Sequence, residues 1–265
     1  DNYEEEILKQ CKDALCFGLT TMTGYQINDG LRIAGLVKEK FPKLLIVWGG
    51  WHPSLFPQQT IQNNNVDIVI RGQGEITFTE LVKALEKKKD LSKVAGISFK
   101  RNNKVLHNCD RPFADIKEFP ELPIFLIDFS KCFFNSEFGH KTTNYISSQG
   151  CPFRCGFCCE QAVNKRRWTA YPAKRVVDEM EKLKILGADA ISINDSNFFV
   201  DKERVKEICR EIIKRNLGIQ WGNVNGRTKQ LNEADEEFWK LLKESGCYSI
   251  MAGVESGNQE MLNFI

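Results

Sequence analysis

The sequence has no long apolar run. Its longest unbroken stretch is about the length of Leu44-Leu-Ile-Val-Trp48, far from the ~20 residues that cross a bilayer, so no membrane partner is expected. Charge of one sign is missing as well, since 37 Lys and Arg stand against 35 Asp and Glu, a formal net charge of +2. That balance argues against a nucleic-acid binder steered by bulk charge, and it leaves the substrate open. No secretory signal pattern is visible, so the ten cysteines are expected to be thiols and metal ligands of a cytoplasmic chain rather than a disulfide framework. Six of them, Cys11, Cys16, Cys109, Cys132, Cys209 and Cys247, are scattered and read as plain buried or half-buried thiols.

What the sequence does have is one dense stretch, Tyr145-Ile-Ser-Ser-Gln-Gly-Cys-Pro-Phe-Arg-Cys-Gly-Phe-Cys158. A short strand runs into a glycine, and Cys151, Cys155 and Cys158 follow at C-x-x-x-C-x-x-C spacing. Pro152 and Gly156 bend the backbone, so three thiolates converge on one metal centre at little loop-closure entropy. A closed iron-sulfur site uses four cysteines. Three would leave an open coordination position, which separates catalytic from structural metal sites. The rival is a structural zinc site, but Cys159 is a poor fourth ligand because adjacent residues rarely turn both side chains to one tetrahedral ion, and no second ligand pair is in sight.

With 265 residues and 42% hydrophobic content the chain has length and core for two domains. From residue 1 to 108 apolar strands (14–19, 44–48, 66–70) alternate with amphipathic helices (28–41, 53–63, 77–88), and a hairpin closes the region with arms at 96–100 and 104–107. Continuous apolar strands between helices imply a parallel sheet covered on both faces, which binds ligands beyond its carboxyl strand ends. Three loops fall there: Thr20, Thr21, Met22, Thr23, Gly24 and Gln26 after the first strand; Gly49, Gly50 and His52 after the second; Gly72, Gly74 and Glu75 after the third. Glycines let a bulky group approach the backbone, and the hydroxyls and Gln26 supply hydrogen bonds. His52 reads as a loop histidine with a local hydrogen bond in preference to a metal ligand.

Residues 109–143 lose all periodicity. Pro112, Pro120 and Pro123, with Phe113, Phe119, Phe125, Phe129, Phe133 and Phe134, describe an aromatic strap rather than a Gly/Ser-rich linker, expected to pack across the domain junction. From 144 to 265 four strands (144–148, 190–194, 219–224, 248–253) alternate with helices 173–186, 202–215 and 233–245. The first of these helices buries Val176, Met180, Leu183 and Leu186, and the second turns Val205, Ile208 and Ile212 inward after an Asp201 cap. This is a partial (β/α) barrel of four βα units, with polar residues at its carboxyl strand ends. Four strands cannot close a barrel, so both ends are expected to fall short of a complete enzyme.

The cysteine loop, with Phe157 before its last thiol, resembles that of the radical S-adenosylmethionine (radical SAM) enzymes, and the surroundings resemble the subgroup with a cobalamin-binding domain ahead of the radical domain. The resemblance implies a Rossmann-like (flavodoxin-like) cobalamin domain and a radical SAM barrel. It implies a 4Fe-4S cluster on Cys151, Cys155 and Cys158, with S-adenosylmethionine on the fourth iron and cleaved to a 5'-deoxyadenosyl radical. Phe157, Asp195, Asn197, Arg227, Glu255 and Ser256 are then the expected S-adenosylmethionine contacts, and the three glycine-containing loops the cobalamin contacts. Asp195-Ser196-Asn197 departs from the family's frequent Gly-Gly-Glu at that place. A small-molecule substrate and an electron donor such as flavodoxin or ferredoxin complete the expectation. The alternatives are a radical SAM enzyme without cobalamin and a non-enzymatic zinc-binding module.

Overall fold

A computed structural model describes residues 3–102 and 104–264. The chain divides into two compact units, Asp1–Phe113 and Ala114–Ile265. The first contains α1 (Tyr3–Gln10), β1 (Cys16–Thr20), α2 (Tyr25–Lys40), β2 (Leu45–Gly49), α3 (Trp51–Leu55), α4 (Pro57–Gln62), β3 (Ile68–Ile70), α5 (Glu75–Glu86), β4 (Ile97–Arg101) and β5 (Lys104–His107). One five-stranded sheet runs in the order β1-β2-β3-β4-β5. The first three strands are parallel and the last two form the antiparallel hairpin.

Strand β2 explains the unbroken apolar run: Ile46 and Trp48 pack with Ile33, Ala34 and Val37 of α2, while Val47 between them joins Leu81 and Ala84 of α5 on the opposite face. The expected helix over 53–63 is broken in two at Phe56, whose non-helical φ/ψ lets Pro57 open a second helix at its first turn.

The second unit contains β6 (Phe134–Ser136), β7 (Gly139–Tyr145), β8 (Ser148–Gly150), α6 (Glu160–Asn164), β9 (Trp168–Ala170), α7 (Ala173–Ile185), β10 (Ala190–Ile193), α8 (Lys202–Lys214), β11 (Gln220–Gly222), β12 (Val224–Arg227), α9 (Thr228–Asn232), α10 (Glu236–Glu244), β13 (Ile250–Gly253) and α11 (Gln259–Phe264). Strands β7, β10 and β11 are parallel neighbours, β6 adds antiparallel to β7, and β12 and β13 form a separate parallel pair. The strand expected over 219–224 is thus two strands. Asn223 between them takes φ +59, a left-handed turn that asparagine tolerates. Strands β8 and β9, an antiparallel pair, were not anticipated.

Helices α7 and α8 cover the sheet with Val176, Met180, Leu183, Val205, Ile208 and Ile212, all buried. Asp201 accepts from the Arg204 backbone N–H and caps α8. Leu186 departs from expectation: it lies past the end of α7, at its C-cap, and is 45% exposed. The helix expected over 233–245 begins at Glu236, capped by Asp235, after the short α9. Within the strap, Ile116 is buried in this unit's core, and Phe119, Ile124, Phe129 and Phe133 pack against it.

Candidate functional site

In the first unit the three glycine-containing loops sit at the carboxyl ends of the parallel strands β1, β2 and β3. The first two are tied by backbone: Thr21 N–H donates to the Gly49 carbonyl (3.0 Å) and His52 N–H to the Thr21 carbonyl (3.1 Å). Gly50 has φ +95, and a Cβ there would stand 2.5 Å from Thr20 Oγ1 and 2.9 Å from the Thr21 carbonyl, so only glycine lets the loops meet. Gln26 folds back to accept the Met22 N–H at 2.8 Å. The His52 ring, 8% exposed, lies with Nδ1 3.1 Å from Thr23 Oγ1, and burial lowers its pKa. Ser54 Oγ donates to the Gly50 carbonyl and accepts the Gly72 N–H, joining the third loop to the second. Gly74 and Glu75 open α5. Thr20, Met22, Thr23 and Gly24 are exposed.

A cavity of about 560 Å³ adjoins the first loop, lined by Leu19, Thr21, Met22, Gln26, Gly30 and Trp51 among others. Thr21 Oγ1, in that lining, is buried without a hydrogen-bond partner among the described residues. An orphaned hydroxyl beside an open cavity is what a ligand with a polar tail would satisfy, so the residues fit such a group.

In the second unit the cysteine loop leaves β8 at Gly150. That residue has φ +85, and a Cβ on it would lie 1.9 Å from the Arg167 carbonyl of the facing chain. The loop therefore starts from a backbone-to-backbone contact that no side chain permits. Cys158 N–H and Gln161 Nε2 both donate to the Cys155 carbonyl (3.0 and 2.6 Å), which turns the loop into α6. Cys151 and Cys155 are half-buried and Cys158 is exposed. Burial pushes the Cys151 and Cys158 thiols up, and the nearby Glu160 carboxylate adds to this. Glu160 is itself buried, accepting from Asn164 Nδ2 (2.6 Å) and Ser196 Oγ (3.1 Å).

Among the described residues no three His, Cys, Asp or Glu side chains form a group that could hold a metal ion, so the three thiols share a loop without being gathered. The donor chemistry nonetheless fits an iron-sulfur cluster: three soft sulfurs on eight consecutive residues, none in a disulfide.

Of the other expected contacts, Arg227 ends β12 and lies over the ring of Phe153 inside the cysteine loop, 4.4 Å from guanidinium carbon to ring centre. Phe157 and Glu255 are exposed, Glu255 at φ +59, and Ser256 Oγ accepts the Asn258 N–H. Two positions are buried. Asp195 is fully buried, and its carboxylate accepts from Ser147 N–H (2.6 Å), Ser147 Oγ (2.6 Å), Ser148 N–H (3.1 Å) and Ser148 Oγ (2.6 Å). Asn197 is also buried, accepting the Phe199 N–H and donating to Gln230. Local donors and acceptors thus surround both side chains.

Sequence reasoning missed the partners of this network. Arg204, from α8, donates through Nε to the Tyr171 carbonyl (2.7 Å) and through Nη2 to the carbonyl and Oγ of Ser147 (2.9 Å each). Asn225 donates to the Asp195 carbonyl. The adjacent Ser147-Ser148 pair, just before the cysteine loop, was the available signal.

The B12 binding domain family matches residues 3–82, and the Radical SAM superfamily matches residues 145–265. An uncharacterized methyltransferase of Pyrococcus horikoshii is 32% identical over 250 residues, 94% of this chain and 53% of its own length. The anaerobic magnesium-protoporphyrin IX monomethyl ester cyclase of a Synechocystis species is 29% identical over 265 residues, 98% of this chain and 52% of its own. The chain thus spans about half the length of the curated relatives it matches. Among solved structures, the radical S-adenosylmethionine methyltransferase TsrM from Kitasatospora setae, described with tryptophan and a SAM analogue bound, superposes with a TM-score of 0.77 at 20% identity. It covers 99% of this chain and 53% of that one. The cobalamin-dependent radical enzyme OxsB gives 0.76 at 23% identity, covering 98% and 38%. At these identities the likeness concerns the fold. Two domain families are thus matched in order along one chain, a B12 binding domain followed by a radical SAM domain.

Proposed function

We propose that the chain is the cofactor-binding part of a cobalamin-dependent radical SAM enzyme, of methyltransferase type, acting on a small-molecule substrate. The observation that carries this reading is the C-x-x-x-C-x-x-C loop leaving a sterically fixed glycine within the span that matches the radical SAM family. Cys151, Cys155 and Cys158 would hold a 4Fe-4S cluster. When bound, the cluster with S-adenosylmethionine supplies a 5'-deoxyadenosyl radical that removes a hydrogen atom, and cobalamin supplies a methyl group.

The chain's own residues bind and orient. Arg227 offers a cation beside the cysteine loop for a cofactor carboxylate, and Glu255 and Ser256 offer acceptors at the end of β13. Phe157 presents an apolar ring next to the last thiol. In the first unit, Thr21 and the loops around Gly49-Gly50 would receive the cobalamin tail, with Gln26 holding the first loop in shape. An exogenous one-electron donor such as flavodoxin or ferredoxin would serve the cluster. Methyl transfer is preferred because named relatives are methyltransferases, although the cyclase name keeps ring formation as the second outcome.

Anaerobic reconstitution with iron and sulfide tests this directly. The expected product is brown, with broad visible absorption that dithionite bleaches. Replacing Cys151, Cys155 or Cys158 by alanine abolishes the colour, while Cys159→Ala keeps it. A colourless chain holding one tight zinc overturns the reading. Retention of hydroxocobalamin through gel filtration tests the first unit separately.

A further inference from the structure

We infer that Asp195 and Arg204 form a positioning device for the cysteine loop, acting through the Ser147-Ser148 backbone, and that Asp195 holds the cluster's site in shape rather than touching a cofactor. The inference rests on the cluster reading above.

Five observations converge on it. Asp195 lies just beyond β10, and its four donors come from Ser147, which precedes β8, and Ser148, the first residue of β8. Ser147 Oγ is a relay: it donates to Asp195 and accepts from Arg204. Arg204 reaches from α8 and also holds the Tyr171 carbonyl, just past β9. Ser148 pairs with Ala170 and Gly150 with Trp168, so this guanidinium ties the two strands together at one end of the β8–β9 pair, and Gly150 is pressed against the Arg167 carbonyl at the other. The pair ends at Gly150, and Cys151 follows it directly.

The energetics favour a positioning role. A carboxylate and a guanidinium at 0% and 7% exposure lose hydration that their mutual attraction rarely outweighs, and an apolar replacement of similar volume would stabilise as well or better. Such a network yields uniqueness of geometry: four donors at fixed places admit one path for the Ser147-Ser148 turn. Burial pushes the Asp195 carboxyl up, against the donors and Arg204, which favour its charged form. Cys151 is half-buried and follows this turn after Gln149 and Gly150, while Cys158 is exposed at the other end of the loop. The thiol nearest the network is thus the one it can place.

The experiment compares Asp195→Ala with Asp195→Asn in the whole chain, reconstituted anaerobically with ferrous iron and sulfide. The asparagine keeps an oxygen for the Ser147 and Ser148 N–H groups, and the two hydroxyls can turn to accept from its amide. Asp195→Ala is expected to lose iron to a chelator at about tenfold lower concentration and to broaden the electron paramagnetic resonance signal of the reduced cluster, while Asp195→Asn restores both. S-adenosylmethionine should still alter the signal of Asp195→Asn as it does in the parent chain. Wild-type iron retention in Asp195→Ala, with only the S-adenosylmethionine response lost, overturns the inference and makes Asp195 a cofactor contact. If circular dichroism shows Asp195→Ala unfolded, the double variant Ser147→Ala, Ser148→Ala reads the same quantity, and unchanged retention there also overturns it. Absence of any iron uptake in the parent chain is a different result, which removes the cluster reading and this inference with it.

Discussion

The guanidinium of Arg227, at the end of β12, lies over the ring of Phe153, between the first two cysteines of the loop. The contact links the carboxyl end of one strand to the segment that would carry the cluster. Stacked cations of this kind at exposed sites contribute about 0.5–1 kcal/mol. Phe153→Leu keeps apolar bulk and removes the ring's negative face, so denaturant unfolding should show a loss within that range. Alkylation of Cys151 and Cys155 by iodoacetamide in the metal-free chain should speed up. Unchanged alkylation would mean that the stack does not restrain the loop.

Gly150 and Gly156 flank the first two thiols and differ in what surrounds them. Alanine at 150 requires φ +85 and a Cβ 1.9 Å from the Arg167 carbonyl, whereas nothing lies within 4 Å of a Cβ at 156. Gly150→Ala should therefore lower stability by about 1–3 kcal/mol and abolish cluster assembly. Gly156→Ala should stay within about 0.5 kcal/mol of the parent in the same melt. Equal melting temperatures for the two variants would refute the steric argument.

Burial of His52 lowers its pKa from the ordinary 6.5. The folded chain thus binds fewer protons than the unfolded chain once pH falls below about 6.5, so stability rises with pH through that window and is lost on acidification. The neutral ring beside Thr23 Oγ1 is the form the fold prefers. Melting curves between pH 7.5 and about 5 should show a steeper decline for the parent than for His52→Gln. Parallel declines would assign the acid sensitivity elsewhere.

Much of the fold was legible because it depends on local pattern. The run 44–48 announced a strand buried on both faces, and Ile46, Val47 and Trp48 do alternate between two cores. The Gly49-Gly50 pair could be read as a close approach before the approaching atoms, Thr20 Oγ1 and the Thr21 carbonyl, were known. What escaped depended on distant partners. Asp195 at a strand end looks like a ligand-binding carboxylate until Ser147 and Ser148, about fifty positions earlier, are seen to close around it. The break at Asn223 escaped, although Gly222 precedes it, because its side chain is held by Ser192 and Ser249, which sequence does not juxtapose. Arg204 read as one more charge on an amphipathic helix, although it is buried and turned toward three carbonyl and hydroxyl oxygens.

The contact of Gly150 with the Arg167 carbonyl bears on protein engineering. The eight residues from Cys151 to Cys158 are no portable cassette: transplanted alone into another scaffold, they would lack the opposing main chain that sets their departure angle. A graft would have to bring residues 147–170 as one block, together with an acidic side chain in the recipient to stand where Asp195 stands.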